Sequence, residues 1–122
     1  MMNKQLTISI FEVVGSPLCV ASSDGQKIYE RLAAILGENK HVTLSFHNIS
    51  TLTSAFLNAA IGQLYGKFPE THILEFLTVQ DIQADDTALL KLVVETAKHY
   101  FKDPVRLTPI FEGETETSNE AL

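Results

Sequence analysis

The chain has 122 residues, 45% of them hydrophobic, so it is long enough for one domain whose core needs neither a disulfide nor a metal. Its formal net charge of −6 argues against nucleic acid as a partner, because phosphate binding requires a cluster of basic side chains. The single cysteine, Cys19, excludes an intramolecular disulfide and favours a reducing compartment.

The hydrophobic runs predict neither a signal peptide nor a membrane-spanning segment. Residues 1–14, MMNKQLTISIFEVV, lack the long uninterrupted apolar core of a secretion signal, and no later run approaches membrane-spanning length. We therefore expect a cytoplasmic protein with no membrane partner.

The first third of the chain predicts a strand, a short extended piece and a helix. Leu6–Val14 is rich in β-branched and aromatic residues, which favours a strand, and Leu18–Ala21 is a second, shorter extended piece. Ser23 and Gln26 have the spacing of a capping box, and apolar residues then recur at helical spacing. Gly37 is placed to end this helix as a left-handed cap.

The second strand is predicted over Val42–Phe46. Its apolar residues alternate with Thr43 and Ser45, which are small enough for helices to cover the second face of the sheet. Four hydroxyl residues then lie within five positions of a turn, at the start of the second helix: Ser50, Thr51, Thr53 and Ser54.

The second helix has a wide apolar face and should be packed on two sides. Gly66 and Pro69 end it. Gly62 lies mid-helix, where glycine costs about 1 kcal/mol relative to alanine, so we expect a neighbouring element to approach it closely. The face consists of Phe56, Leu57, Ala60, Ile61, Leu64, Tyr65 and Phe68.

The last third predicts a strand over His72–Val79, a loop over Gln80–Ala84 and a third helix. Asp85 and Asp86 suit the positive end of that helix, and Asp103-Pro104 stops it. Its predicted buried stripe comprises Leu89, Leu90, Leu92, Val93, Val94, Ala97, Tyr100 and Phe101.

Strands separated by helices predict a single α/β domain with about three helices on a mainly parallel or mixed sheet, whose strand order stays open. The domain is predicted over residues 1–111, with an extended piece at Val105–Phe111. Residues 112–122 hold four glutamates and no basic residue, which is typical of a disordered acidic tail.

The hydroxyl turn allows two interpretations. A helix N-terminus presents unpaired amides, which stabilise a bound phosphate or a phosphorylated side chain. Alternatively, Thr51 or Thr53 caps the helix and the other hydroxyls fill the turn.

The segment VTLSFHNISTLTSAFLNAAIGQLYGKF, residues 42–68, resembles the centre of the STAS domains, which include the anti-sigma-factor antagonists. It resembles more closely the bacterial STAS-like family of unknown function, in which a V-x-L-D-F strand precedes a Ser/Thr-rich turn. The preceding helix, within SDGQKIYERLAAILGENKHV, is also similar, so the resemblance covers Ser22 to Leu77.

The resemblance implies a STAS-like sandwich and a partner kinase of the histidine-kinase-like ATPase type, which phosphorylates a serine at the start of the central helix. The matching position is Ser54, with Thr53 directly before it. This sequence departs from the pattern at three positions: Leu52 and Ser45 replace aspartates, and Ala55 replaces the usual glycine.

We therefore expect a non-enzymatic module for protein–protein interaction, with no cofactor and no metal. The candidate partner or anion-binding residues are Asn48, Ser50, Thr51, Thr53, Ser54 and Asn58. The alternative is a small enzyme or anion-binding domain that uses the 48–54 turn, with His47 as a base to Ser50 or Ser54. A third hypothesis is a homo-oligomer formed through the apolar second helix.

Overall fold

The computed structural model describes residues 6–102 as a mixed α/β fold with parallel strands. Its strands are β1 (Leu6–Ser9), β2 (Leu18–Cys19), β3 (Val42–Ser45), β4 (Thr51–Leu52) and β5 (Leu77–Gln80). Its helices are α1 (Ile10–Val14), α2 (Ser22–Gly37), α3 (Ser54–Leu57), a π-helical segment (Asn58–Gly62), α4 (Leu64–Lys67), α5 (Glu70–Phe76) and α6 (Ala84–Lys102). We call residues 54–67 the central helix.

The main sheet has the order β1-β3-β5 with all strands parallel, as the sequence predicts. Its register places Ile8, Leu44 and Val79 side by side on a face that packs against the core. The in-register row Thr7, Thr43, Thr78 lies on the opposite face, because side chains alternate along a strand.

This second face is buried on the central strand, where covering was expected, and exposed on the two edge strands. Thr43 and Ser45 on the central strand are 9% and 7% exposed. Thr7 and Thr78 on the two edge strands are exposed. Within residues 6–102, the sheet therefore has one apolar face and one face lined with hydroxyl groups.

The core lies between α2, the central helix and α6. Gly25 of α2 approaches the central helix so closely that an added Cβ would collide with the Phe56 carbonyl and lie 2.9 Å from the Ala59 Cβ. At Gly62, an added Cβ would lie at an ordinary contact distance of 3.7 Å from Val93 and Ala97 of α6 and 3.3 Å from the Asn58 Oδ1 of the same helix, so α6 packs beside this glycine without the close approach that was predicted.

The apolar face of the central helix is packed on two sides within one chain, with Phe56, Leu57, Ala60, Ile61 and Leu64 buried. The helix is interrupted by the π-helical segment, where the Gln63 amide bonds the Asn58 carbonyl at 3.1 Å. Such segments occur mostly as single turns inside α-helices, often at functional sites.

The strand predicted over Leu6–Val14 is wrong in its second half. The Ser9 hydroxyl accepts a hydrogen bond from the Glu12 amide at 3.2 Å and begins α1, and Gly15 ends it with a φ of 81°. β-Branched and aromatic residues favoured a strand, but a capping serine and the burial of Ile10 favour a turn of helix.

The strand predicted over His72–Val79 is wrong in its first half, because α5 extends to Phe76 and β5 begins at Leu77. His72 lies between the rings of Phe68 and Phe76, with centroids 5.3 and 4.8 Å away, and a ring nitrogen lies 2.7 Å from the Leu36 carbonyl oxygen. The ring contacts join residues four positions apart, which is the spacing of a helix, and the contact with Leu36 adds a long-range partner. The structure has more helices than the three predicted.

Two details of α2 also differ from prediction. The helix begins at Ser22 without a side-chain cap, so the Ser23–Gln26 capping box does not form. Gly37 is its last residue, and the left-handed residue is Asn39, with a φ of 58°.

Helix α6 begins near Asp85 and Asp86 as predicted, but its buried stripe is narrower. Val93 and Ala97 are buried, whereas Leu92 is 64% exposed and Phe101 is 40% exposed. The predicted stop at Asp103-Pro104, the extended piece at 105–111 and the acidic tail at 112–122 lie outside the described residues.

Candidate functional site

The hydroxyl turn, residues 48–54, connects the carboxyl end of β3 to the central helix. It opens at Asn48, which has a φ of 67°, a left-handed conformation that asparagine adopts more readily than most residues. Ile49 is buried, so the turn is held down on the core at its start.

Strand β2 anchors the middle of the turn. The amides of Ser50 and Thr51 both donate to the Pro17 carbonyl, at 2.9 and 3.3 Å, and the Ser50 hydroxyl donates to the same oxygen at 3.3 Å. Parallel pairing then matches Leu18 with Thr51. The hydroxyl of Ser50 therefore stabilises the turn.

Thr53 is the cap of the central helix. Its hydroxyl donates to the Val20 carbonyl at 2.8 Å and accepts from the Phe56 amide at 3.2 Å. Its own amide donates to the Cys19 carbonyl at 3.2 Å. A modification of this hydroxyl would break both of its hydrogen bonds, which assigns Thr53 a structural role.

Ser54 differs from Thr53 although the two are adjacent. It is exposed at the first position of α3, and its hydroxyl makes no hydrogen bond to any residue between 6 and 102. Thr51 is also exposed, whereas Asn58, one turn further along the helix, is half-buried. Ser54 is therefore accessible to another protein.

Two apolar side chains beside the turn were missed by sequence reasoning. Leu18 and Val20 flank the buried Cys19 and are 53% and 48% exposed. Because the Val20 carbonyl bonds the Thr53 hydroxyl, this apolar pair lies next to the start of the central helix. Leu18 and Val20 alternate with the buried Cys19, so they face outward together. The sequence could have indicated this only if the pairing of β2 with β4 had been known.

Ser45 stands where the pattern of the similar family has an aspartate. A carboxylate reaches this position from Asp81, the residue that follows β5. Ser45 donates to the Asp81 carboxylate at 3.1 Å and accepts from the His47 amide at 3.2 Å. Asp81 has a φ of 62° and follows Gln80, the partner of Ser45 in the sheet register. Asp81 therefore helps to position the first residues of the turn.

Cys19 lies under the turn and is buried. Burial raises the pKa of its thiol to about 11, and the Asp24 carboxylate adds to the effect. The thiolate is the reactive form of cysteine, so this thiol is poorly reactive at neutral pH.

Neither the hypothesised pairing of His47 with a serine nor a metal-binding group is found within residues 6–102. The ring of His47 makes no hydrogen bond to Ser50 or Ser54 in this range. No group of three or more His, Cys, Asp or Glu residues among them is placed to hold a metal ion. None of the helices that the structure describes is long and apolar enough to cross a membrane.

Two grooves border the last turns of α6. The polar groove has a volume of about 450 Å³ and contains Tyr65, Glu70, Glu95, Lys98 and Lys102. Lys98 bridges Glu70 at 2.8 Å and Glu95 at 3.3 Å, and these contacts raise its pKa. Burial raises the pKa of the Tyr65 hydroxyl, and the Glu70 carboxylate raises it further.

The apolar groove, about 340 Å³ in volume, lies between the central helix, the start of α2 and the end of α6. Among residues 6–102, no acidic or basic side chain lines it. The lining includes Ala55, Ala59, Gly62, Ala97, Tyr100 and Phe101, with polar edges at Ser22, Asn58 and Gln63. One end of this groove is next in sequence to Ser54.

In a comparison with protein families, the model of a STAS-like domain of unknown function matches residues 24–87, a little more than half of the chain. The matched segment runs from α2 to the start of α6 and includes the hydroxyl turn, Asp81 and most of the apolar groove. Neither the curated proteins nor the solved structures that were compared contain a match to this chain.

Proposed function

We propose that this chain, which belongs to the family of STAS-like domains of unknown function, is a non-enzymatic regulatory module that binds a partner protein through the hydroxyl turn. In this proposal, phosphorylation of Ser54 by a histidine-kinase-like ATPase switches the binding. The partner surface comprises the turn and the exposed side chains beside it.

The observation that carries the proposal is the division of roles among the four hydroxyls. The hydroxyls of Ser50 and Thr53 bond backbone carbonyls of the β2 region. The hydroxyls of Ser54 and Thr51 are exposed and bond no described residue, and of these two only Ser54 lies in the central helix. A kinase that approaches Ser54 therefore has no internal hydrogen bond of the hydroxyl to break.

The exposed pair Leu18 and Val20 supports a partner surface at the same place. Aliphatic side chains at a contact gain free energy when a partner removes them from water, by about 25 cal/mol per Å² of apolar area. A phosphate on the adjacent Ser54 would add nearly two negative charges. Binding of the partner would then be opposed by the desolvation of these charges and by their electrostatic repulsion. Phosphorylation should therefore release the partner.

Phosphorylation is tested by intact-mass spectrometry after incubation with ATP and a histidine-kinase-like ATPase from the same cell. We expect one added phosphoryl group on the wild type and none on Ser54→Ala. The matched control is Thr51→Ala, which removes another exposed hydroxyl from the turn and should still be modified. Modification of Ser54→Ala to the wild-type extent would contradict the assignment.

The partner surface is tested by a pull-down from native cells, followed by titration of the captured protein. Leu18→Asp and Ser54→Asp should both weaken binding. Leu74→Asp is the matched control, because Leu74 is 67% exposed but lies on α5, in a different part of the fold. Equal losses for Leu18→Asp and Leu74→Asp would argue against a surface at the turn.

A further inference from the structure

The polar groove brings opposite charges together in one concave surface. Within residues 6–102, its lining includes two carboxylates and two ammonium groups, those of Glu70, Glu95, Lys98 and Lys102. Its volume of about 450 Å³ lies in the range of about 300–1,000 Å³ that is usual for small-molecule sites. The groove is therefore large enough for a small ligand that carries charge.

Lys98 joins the two carboxylates into a triad that keeps a negative charge. Its Nζ lies 2.8 Å from a Glu70 oxygen and 3.3 Å from a Glu95 oxygen. One ammonium group compensates only one of the two carboxylates, and a carboxylate has several acceptor positions. Glu70 and Glu95 can therefore accept hydrogen bonds from a second ammonium group.

Two hydrogen-bond donors beside the triad lack a partner between residues 6 and 102. The half-buried Tyr65 hydroxyl donates to none of these residues, and burial together with the Glu70 carboxylate raises its pKa, so it keeps its proton at neutral pH. Lys102 lies one helical turn after Lys98 and forms no ion pair in the same range. A ligand that supplies an acceptor to these donors gains hydrogen bonds that the protein does not make.

Aromatic rings complete the lining of the groove. Phe68 is half-buried and stacks on His72, with ring centroids 5.3 Å apart, so its position is fixed. Phe101 is exposed on the last turn of α6. An apolar group that covers these rings gains free energy because it removes them from water.

We propose that the polar groove binds a small zwitterion with an apolar side chain, of the class of free α-amino acids. The ammonium group of this ligand pairs with Glu70 and Glu95. Its carboxylate accepts hydrogen bonds from Tyr65 and Lys102, and its side chain packs against the aromatic rings. The groove shares no lining residue with the hydroxyl turn, so this inference does not rest on the function proposed above.

The charges of the groove select a zwitterion over a ligand with a single charge. A cation without a carboxylate would pair with the triad but would leave the Tyr65 hydroxyl unbonded and would be repelled by Lys102. An anion without an ammonium group would be repelled by Glu70 and Glu95. Only a ligand with both charges matches the acceptors and the donors together.

Titration of the isotope-labelled full chain with free phenylalanine, followed by NMR, tests the site. A ligand of about twelve non-hydrogen atoms in an open groove should bind with a dissociation constant of about 1 mM. The amide signals of Glu70, Lys98 and Lys102 should shift, and those of Thr51 and Ser54 in the hydroxyl turn should not. Phenethylamine lacks the carboxylate and 3-phenylpropionate lacks the ammonium group, so each should bind about tenfold more weakly.

Two variants assign the two charges of the ligand to their partners. Tyr65→Phe keeps the ring and should weaken phenylalanine binding about tenfold, but it should leave the affinity for phenethylamine unchanged. Glu70→Gln should weaken phenylalanine binding by a similar factor and should not weaken the binding of 3-phenylpropionate. Tyr29→Phe is the matched control, because it removes the hydroxyl of another half-buried tyrosine, on α2, and should change no affinity.

Four results would overturn the proposal. The first is the absence of amide shifts at the polar groove with about 10 mM phenylalanine. The second is equal affinity for phenylalanine and phenethylamine, which would reduce the site to one for cations. The third is a loss of affinity in Tyr29→Phe as large as that in Tyr65→Phe. The fourth is a set of shifts confined to Ala55 and Ala59, which would place the ligand in the apolar groove. None of these results depends on Ser54, so a failure of the phosphorylation test and a failure of this one are distinguishable.

Discussion

Gly25→Ala should destabilise the protein even though alanine is a better helix former than glycine. The substitution adds a Cβ that collides with the Phe56 carbonyl and lies 2.9 Å from the Ala59 Cβ. The first neighbour is backbone in a buried turn of the central helix, so it cannot move aside without disturbing the core. Overpacking of this kind costs about 1–3 kcal/mol.

Gly37→Ala is a matched control on the same helix, because nothing lies within 4 Å of its added Cβ. Both variants gain the helix propensity of alanine, up to about 1 kcal/mol, although the gain is smaller at the last residue of a helix. The difference in unfolding free energy between them therefore measures mainly the collision at Gly25. We expect Gly25→Ala to be less stable than Gly37→Ala by about 1–3 kcal/mol.

Urea unfolding followed by circular dichroism measures this difference. With a slope of about 1–3 kcal/mol per molar urea, the two midpoints should differ by about 1 M. Adding Ala59→Gly to Gly25→Ala removes the 2.9 Å contact but leaves the collision with the Phe56 carbonyl, so it should couple favourably yet restore only part of the stability. Equal midpoints for Gly25→Ala and Gly37→Ala would refute the predicted close packing of α2 on the central helix.

Three further predictions concern the turn and its surroundings. Thr53→Val removes the helix cap and the hydrogen bond to the Val20 carbonyl, so it should lower the unfolding free energy by about 1–2 kcal/mol. In the same urea assay, Thr51→Val should change it by less than about 0.5 kcal/mol. Asp81→Ala removes the hydrogen-bond acceptor for Ser45 and places alanine at a φ of 62°, so it should lower the unfolding free energy by about 1–2 kcal/mol. Asp81→Asn keeps an acceptor oxygen and should leave the unfolding free energy nearly unchanged. The pKa of the Cys19 thiol rises from 9.0 to about 11 on folding, so the unfolded state releases this proton at lower pH than the folded state does. The free energy of unfolding should therefore fall between pH 9 and 11. In a pH series of unfolding midpoints, Cys19→Ala should show a smaller decline.

The parallel sheet and the helix after the hydroxyl turn were predicted from local sequence patterns. These features follow from strong signals within one element, such as the apolar alternation of Val42–Phe46. The family resemblance over Ser22 to Leu77 was confirmed by the match to residues 24–87. The hydroxyl turn lies within the matched segment, and its role as a binding site is a proposal.

The errors fall where two structures suit the same residues. Leu6–Val14 and His72–Val79 are rich in apolar residues that pack equally well in a strand or a helix. Ser9 capping an amide three residues later decided the first case, and the contacts of His72 with Phe68, Phe76 and the Leu36 carbonyl decided the second. Glu12 and Phe76 lie within the two segments and Phe68 lies four residues before His72, so among these partners only the Leu36 carbonyl is distant in sequence.

The sequence by itself determined which stretch holds the candidate site, because hydroxyl residues at a helix start form a local pattern. Only the tertiary structure decided which hydroxyl is accessible. Thr53 and Ser50 bond carbonyls 33 residues earlier in the chain, and Ser45 meets a carboxylate 36 residues later. Those hydrogen bonds depend on the pairing of β2 with β4 and of β3 with β5, and strand pairing is set by the packing of the whole domain. After that pairing, the hydroxyls of Ser54 and Thr51 stay exposed without a hydrogen bond to any residue between 6 and 102.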